Sequence, residues 1–189
     1  MAVRVAINGF GRTGRAFLRA ALKSPHDVEV AAVNDLGDPE ALARLLARDS
    51  VHGHLPLPVS VEHDTMMVGS SPVTMLMEPH PEQLPWRELG IDVVIESTGR
   101  LTTRDKAAAH IEAGARRVII SAPGKDVDAT FVIGVNEDTF DPRHDFVVSN
   151  ADRDCGQGRE LGRERGDRAR VQPSGEENRV CTGCLDAGV

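Results

Sequence analysis

Apolar and polar positions along the first 150 residues fall into blocks that predict strands alternating with helices. Val3-Arg4-Val5-Ala6-Ile7 predicts a strand. Arg12 to Lys23 predicts a helix with Ala16, Phe17, Ala20 and Ala21 on its apolar face and Arg15, Arg19 and Lys23 opposite, ended by Ser24-Pro25. A second strand runs through Val28-Glu29-Val30-Ala31-Ala32-Val33 towards Asn34-Asp35. Asp38-Pro39-Glu40 then reads as a helix start with proline in the first turn, carrying Ala41, Leu42, Leu45 and Leu46 inward. Between residues 56 and 77 the period changes. Val59-Ser60-Val61, Met66-Met67-Val68 and Val73-Thr74-Met75-Leu76-Met77 are short runs split by Glu62-His63-Asp64 and Gly69-Ser70-Ser71, the pattern of a small antiparallel meander inserted into the order. Ile91 to Glu96 reads as a buried strand, Thr103 to Ala113 as a helix ended by Gly114, and Arg116 to Ile120 as another strand. Shorter strands are expected at Thr130 to Ile133 and Phe146 to Ser149. Strands alternating with helices predict an α/β fold, a Rossmann-like doubly wound and mostly parallel sheet with that small antiparallel insertion, whose ligands lie at the carboxyl ends of the strands.

The junction of the first strand and helix carries the strongest chemical signal. Gly9, Gly11 and Gly14 stand at the spacing G-x-G-x-x-G directly after an apolar strand. The first glycine allows the tight turn, the second lets backbone approach a pyrophosphate, and the third lets helix pack closely on strand. The helix then points its dipole and free N–H groups at the phosphates. Asp35, at the end of the second strand and about 20 residues on, has the place of the carboxylate that takes ribose hydroxyls. Ser97-Thr98-Gly99-Arg100 and Ser121-Ala122-Pro123-Gly124 also sit just past strand ends, where small and hydroxyl residues can meet a cofactor. Each of these residues singly is equally a turn former; together they align on one sheet edge.

Composition narrows the class. The 189-residue chain carries a formal charge of −7, which argues against a nucleic-acid partner. It has no apolar run long enough for a membrane span and no secretory leader pattern, so a cytoplasmic location is expected. All three cysteines, Cys155, Cys181 and Cys184, fall late in the chain, so no disulfide framework is expected in its body. Cys181-Thr182-Gly183-Cys184 has redox or zinc spacing but lacks the second pair of a structural zinc site, and His52 and His54 read as a solvated turn; no metal site is expected. His110 reads as part of a packing face. After Ala151 the chain contains no Ile, Phe, Met, Trp or Lys and is dense in Arg, Gly, Asp and Glu. Such a segment buries too little to offset its ordering entropy, so the expected organisation is a nucleotide-binding domain over 1–151 and a disordered tail over 152–189.

These residues together resemble the NAD-binding half of the phosphorylating glyceraldehyde-3-phosphate dehydrogenases. The matching blocks are I-N-G-F-G-R-T-G ending at Gly14, A-V-N-D-L ending at Leu36, D-S-V-H-G from Asp49, L-P-W from Leu84, and V-V-I-E-S-T-G ending at Gly99. They continue with H-I-E-A-G-A from His110, V-I-I-S-A-P from Val118, G-V-N from Gly134, and Ser149-Asn150-Ala151. The resemblance implies that the cofactor is NAD and that Arg12 and Thr13 present backbone to its pyrophosphate. It also implies that Asp35 holds the adenosine ribose, that Thr98 and Gly99 border the adenosine side, and that Ser121 lies towards the nicotinamide. The Asp35 carboxylate would repel a 2′-phosphate, which favours NAD over NADP. Two departures are local: Thr13 stands where the family often has Ile, and Pro79 where it often has Arg, which removes one adenine-side contact.

A larger departure follows Ala151. The family continues Ser-Asn-Ala with Ser-Cys-Thr-Thr-Asn-Cys, whose first cysteine attacks the aldehyde; here Asp152-Arg153-Asp154-Cys155 follows, with Arg153 at the nucleophile's place. Cys155 is two positions late, and Asp154 beside it disfavours a thiolate. The resemblance therefore implies no catalytic residue in this chain, the family's base and phosphate-binding residues being expected beyond this point. A truncation or a change of reading frame near residue 151 would produce such a break. The family is homotetrameric, a state not carried over to this chain because its subunit contacts depend on the further domain. The alternatives are a non-catalytic NAD-binding module and part of an erythrose-4-phosphate dehydrogenase, whose specificity residues would also lie further on.

Overall fold

The computed structural model describes residues 2–24 and 27–150. In chain order the elements are β1 (Val3–Asn8), α1 (Arg12–Ala21), β2 (Val28–Asn34), α2 (Pro39–Ala47), the two-residue strands β3 (Arg48–Asp49) and β4 (Gly53–His54), then β5 (Val59–Glu62), β6 (Thr65–Val68) and β7 (Ser71–Leu76). There follow β8 (Val93–Glu96), α3 (Arg104–Ala107), α4 (Ala109–Glu112), β9 (Arg117–Ile120), β10 (Ala129–Thr130) and β11 (Val147–Ser149). Among the described residues nine strands form one sheet in the order β10-β11-β9-β8-β1-β2-β7-β6-β5, and β3 and β4 form a separate hairpin. Pairing is parallel from β10 through to β7 and antiparallel between β7, β6 and β5. The meander expected from the sequence thus extends one edge of the main sheet. From β1 the chain builds outward through β2, and it later returns to the other side of β1 as β8. That reversal leaves a crevice at the carboxyl ends of β1, β2 and β8, where open α/β sheets bind ligands.

The alternation of side chains sorts the core onto two faces. Val5 and Ile7 of β1, Val33 of β2 and Ile95 of β8 pack with Leu18 of α1 and Leu42 and Leu46 of α2. Ala6, Ala32 and Val94 face the other way, against Trp86, Ala107 and Ile111. The β1–β2 register shifts between Val5, paired with Val30, and Ala6, paired with Ala32, so Ala31 is an extra residue and lies on the same face as Ala32. Asp38 caps α2 by accepting from the Ala41 N–H at 2.8 Å, with Pro39 in the first turn as expected.

Several expectations need correction. In α1 Phe17 and Ala21 pack on the core as expected, but the most deeply buried residues are Gly14, Leu18 and Arg19, and Ala20 is exposed. Arg19 is buried because its guanidinium donates from Nη2 to the carbonyls of Leu46 at 2.6 Å and Gly53 at 3.0 Å, so that α1 is tied to the end of α2 and to the hairpin. The helix ends at Ala21, short of Lys23. In α2, Ala43 turns inward with Leu42 and Leu46, whereas Leu45 is 48% exposed. The helix expected over Thr103 to Ala113 is two four-residue turns broken at Ala108. The strand expected from Thr130 to Ile133 stops at Thr130, and Ile133 lies exposed. Arg104 Nε donates to Asp128 Oδ1 at 2.7 Å, and Asp128 Oδ2 accepts from the N–H groups of Phe146 and Val147, which fastens the segment before β10 to β11. Burial would raise the Asp128 carboxyl, but the Arg104 guanidinium and the two backbone donors outweigh it and hold the group below its ordinary value.

Candidate functional site

The three glycines after β1 meet three different surroundings. Gly9 has φ +92°, and a Cβ there would stand 2.6 Å from the Thr98 nitrogen, so β1 must leave the sheet through a glycine to pass the β8 loop. A Cβ on Gly14 would lie 2.3 Å from the Gly9 carbonyl oxygen and 2.9 Å from Ile7 Cγ2, so α1 sits against β1 at a spacing only hydrogen allows. Around Gly11 a Cβ would meet nothing within 4 Å. That open position is the N-cap of α1, which has no side-chain cap and no acidic residue in its first turn. The first-turn N–H groups of Arg12, Thr13 and Gly14 therefore face the opening, an arrangement suited to an anion.

Across the crevice Asp35 is aimed by backbone donors. Its Oδ2 accepts from the Phe10 N–H at 2.7 Å and its Oδ1 from the Gly37 N–H at 2.8 Å. Each oxygen keeps a lone pair for a further donor, such as a sugar hydroxyl. A cleft of about 300 Å3 opens between these groups. Asn8, Gly9 and Gly11 line it from β1, Asn34, Asp35 and Leu36 from β2, Glu78, Pro79 and Pro81 from the segment after β7, and Ser97, Thr98, Arg100 and Leu101 from the β8 loop. Its walls are thus apolar at Leu36, Pro79, Pro81 and Leu101, with a carboxylate at one point and a guanidinium at another, the mixture that suits a flat heterocycle joined to a sugar.

Below the floor runs a chain of buried polar groups. Asn34 donates to Asn8 Oδ1 at 2.7 Å and to the Glu78 carbonyl at 2.9 Å, and its own Oδ1 accepts from the Glu78 N–H at 2.8 Å. Asn8 Nδ2 donates to Glu96 Oε2 at 2.7 Å, and His110 Nε2 lies 3.0 Å from the same oxygen. Trp86 Nε1 donates to His110 Nδ1 at 3.0 Å. Glu96 Oε1 accepts from the Thr98 N–H at 2.9 Å and from the Thr98 hydroxyl. Ser97 Oγ donates to the Gly9 carbonyl at 2.7 Å, so the glycine turn and the β8 loop are also joined directly.

Of the residues expected from sequence, Gly9, Gly11, Asp35 and Thr98 come together as walls of the cleft. Arg12, Thr13 and Gly14 form the start of α1 beside it. Gly99 adjoins Thr98 with φ +71°, and Ser121, one strand further at the end of β9, donates to the Glu96 carbonyl at 3.1 Å. The reasoning from sequence missed Asn8, Asn34, Glu78 and the Glu96–His110–Trp86 group. A lone glutamate closing the apolar run Val93-Val94-Ile95 was the available signal for the last of these. Among the described residues no group of His, Cys, Asp and Glu is arranged to hold a metal ion, and no helix is long and apolar enough to cross a membrane. Ala151, Cys155, Cys181 and Cys184, and with them the expected tail, lie outside the described residues.

Comparison with known proteins points the same way as the cleft. A family model described as glyceraldehyde 3-phosphate dehydrogenase, NAD binding domain, matches residues 3–104. The glyceraldehyde-3-phosphate dehydrogenase of Geobacillus stearothermophilus is 56% identical over 151 residues, covering 80% of this chain and 45% of that protein. Glyceraldehyde-3-phosphate dehydrogenase 1 of Bacillus subtilis is 52% identical and the Streptomyces coelicolor enzyme 50%, each over 151 residues with the same two coverages. The chain thus spans less than half the length of these curated relatives.

Proposed function

This chain belongs to the glyceraldehyde 3-phosphate dehydrogenase family through its NAD-binding domain, and from that premise we propose how the cleft takes its cofactor. The adenosine ribose hydroxyls donate to Asp35. The pyrophosphate crosses Gly11 and rests on the N–H groups of Arg12, Thr13 and Gly14. Thr98 and Gly99 border the adenosine side, Leu36, Pro79 and Leu101 supply apolar surface to the adenine, and the nicotinamide runs towards Ser121. The contrast among the three glycines carries the reading: two are closed to any side chain for packing reasons, while Gly11 alone of the three is open above an uncapped helix start. Isothermal titration with NAD and NADP tests it. The wild-type chain should prefer NAD, and Asp35→Ala should weaken NAD by about tenfold or more, the worth of hydrogen bonds to a charged acceptor. Unchanged NAD binding in that variant would remove the ribose contact.

NAD, where it meets a suitably activated aldehyde, accepts a hydride at its nicotinamide. For this chain we propose cofactor binding without aldehyde turnover, with 1–151 as the cofactor unit. Ser149-Asn150-Ala151 leads into Asp152-Arg153-Asp154, and a guanidinium cannot replace the thiolate that the family places at residue 153. The whole relatives' oxidation and phosphorylation of glyceraldehyde 3-phosphate is therefore not expected from it. NADH appearance in a mixture of the chain, NAD, inorganic phosphate and glyceraldehyde 3-phosphate with fresh thiol reductant should stay at background. Enzyme-dependent absorbance growth would refute the proposal.

A further inference from the structure

Glu96 is a carboxylate that nothing entering the cleft can touch: it is 1% exposed, and His110 beside it is 0%. The donor chemistry around it fixes the tautomer of the His110 ring. An indole N–H can only donate, so His110 Nδ1, 3.0 Å from Trp86 Nε1, is an acceptor. The neutral ring then carries its proton on Nε2 and donates it to Glu96 Oε2. Asn8 Nδ2 donates to that same oxygen, and the Thr98 N–H and hydroxyl both donate to Oε1. Every neighbour gives a hydrogen to the carboxylate, and each is thereby fixed. Thr98 is a wall of the cleft, and Asn8 passes the constraint to Asn34, which holds the Glu78 backbone on the opposite wall.

We propose that Glu96 is the positioning residue of the cofactor cleft: its carboxylate, with the His110 proton directed to it by Trp86, sets Thr98 and Asn8 in the arrangement that receives NAD. This rests on the cofactor reading above. The isosteric change Glu96→Gln separates positioning from space filling. The amide must aim its NH2 either at Asn8 Nδ2 and the His110 N–H or at the Thr98 N–H, and in both cases donors oppose donors in a buried site.

The test uses the full chain and three readouts: NAD affinity by isothermal titration, amide hydrogen exchange at Thr98, and the 15N shifts of the His110 ring. In the wild type the ring should show protonated Nε2 and bare Nδ1. Glu96→Gln should weaken NAD by about tenfold or more and speed exchange at Thr98 by a similar factor, the worth of one hydrogen bond to a charged group. If Glu96→Gln does not fold, the pair His110→Gln and His110→Leu decides. Gln offers a donor to Glu96 and an acceptor to Trp86, and should bind NAD about tenfold tighter than Leu, which offers neither. A wild-type ring protonated on Nδ1 would overturn the proposal. So would Glu96→Gln with NAD affinity and Thr98 exchange within about twofold of wild type, or equal affinities for the two His110 variants. A wild-type chain that fails to bind NAD would instead overturn the cofactor reading, and the Thr98 exchange and ring shifts would still decide whether Glu96 holds the wall.

Discussion

Replacing each of two glycines by alanine should separate stability from binding. Gly14 lies within α1, where an alanine ordinarily gains about 1 kcal/mol over glycine from backbone entropy. Here the new methyl would stand 2.3 Å from the Gly9 carbonyl oxygen and 2.9 Å from Ile7 Cγ2, the former a backbone atom with no rotamer to escape into. Relief requires α1 to move off β1, which opens the contact between Leu18 and the strand layer. Overpacking of this kind costs about 1–3 kcal/mol and more where backbone must shift. The collision outweighs the propensity gain, and the net expectation for Gly14→Ala is a loss of about 2 kcal/mol, or a Tm lower by about 4–8 °C for a chain of this size. Gly11→Ala meets open space, so it should lose no more than about 0.5–1 kcal/mol, the preference of an N-cap for glycine over alanine, with no collision added. Its methyl, however, occupies the approach to the α1 N–H groups, and NAD affinity should fall by about tenfold or more. Thermal unfolding by circular dichroism and titration with NAD read the two effects. A Gly14→Ala chain as stable as wild type would refute the packing account, and an undiminished NAD affinity in Gly11→Ala would refute the path assigned to the pyrophosphate.

Arg19→Met keeps the aliphatic stem but removes the donor that reaches the Leu46 and Gly53 carbonyls. It should lower stability by about 1.5–3 kcal/mol in urea unfolding, and a loss under about 0.5 kcal/mol would show that Arg19 merely fills space. The Asp128 carboxyl titrates below its ordinary 3.8 in the folded chain. Its contribution is therefore whole above that value and disappears as pH falls through the lower folded-state value. Unfolding midpoints of wild type and Asp128→Asn should accordingly converge on acidification below the ordinary carboxyl range, and midpoints that keep a constant gap would contradict the assignment.

Much of the frame was readable because local rules and tertiary packing agree. Asp38-Pro39 started α2 where capping chemistry said it would, and the glycine spacing placed β1, α1 and the cleft together. Errors arose where one face of a helix is decided by distant partners. Arg19 looks like a solvent residue until the carbonyls at the end of α2 and in the hairpin come within reach of its fork. Leu45 looks like a core residue, but the sheet lies on the Leu42–Leu46 side. Of the site, Asp35 and Thr98 were visible from their places after strand ends. The Glu96 group was not, because its members come from β1, the β8 strand and loop, α4 and the turn at Trp86, and only the folded sheet makes them neighbours. The early end of β10 was equally hidden, since Phe131-Val132-Ile133 has strand composition while Asn136 turns back to accept from the Val132 N–H at 2.8 Å.

The extra residue in β2 gives the distance between the glycine turn and the ribose carboxylate a parity. With Ala31 bulged, Asn34 comes level with Asn8, their side chains bond, and the Asp35 carboxylate meets the Phe10 N–H. Close that bulge without losing a residue and Val33 would stand opposite Asn8, turning an apolar side chain to the cleft and the carboxylate away from it. A homologue that lacks Ala31 would therefore run β2 straight and still bring Asn34 level with Asn8, whereas one that gains a residue must absorb it before Val28 or in a second bulge to keep the carboxylate on the cleft side.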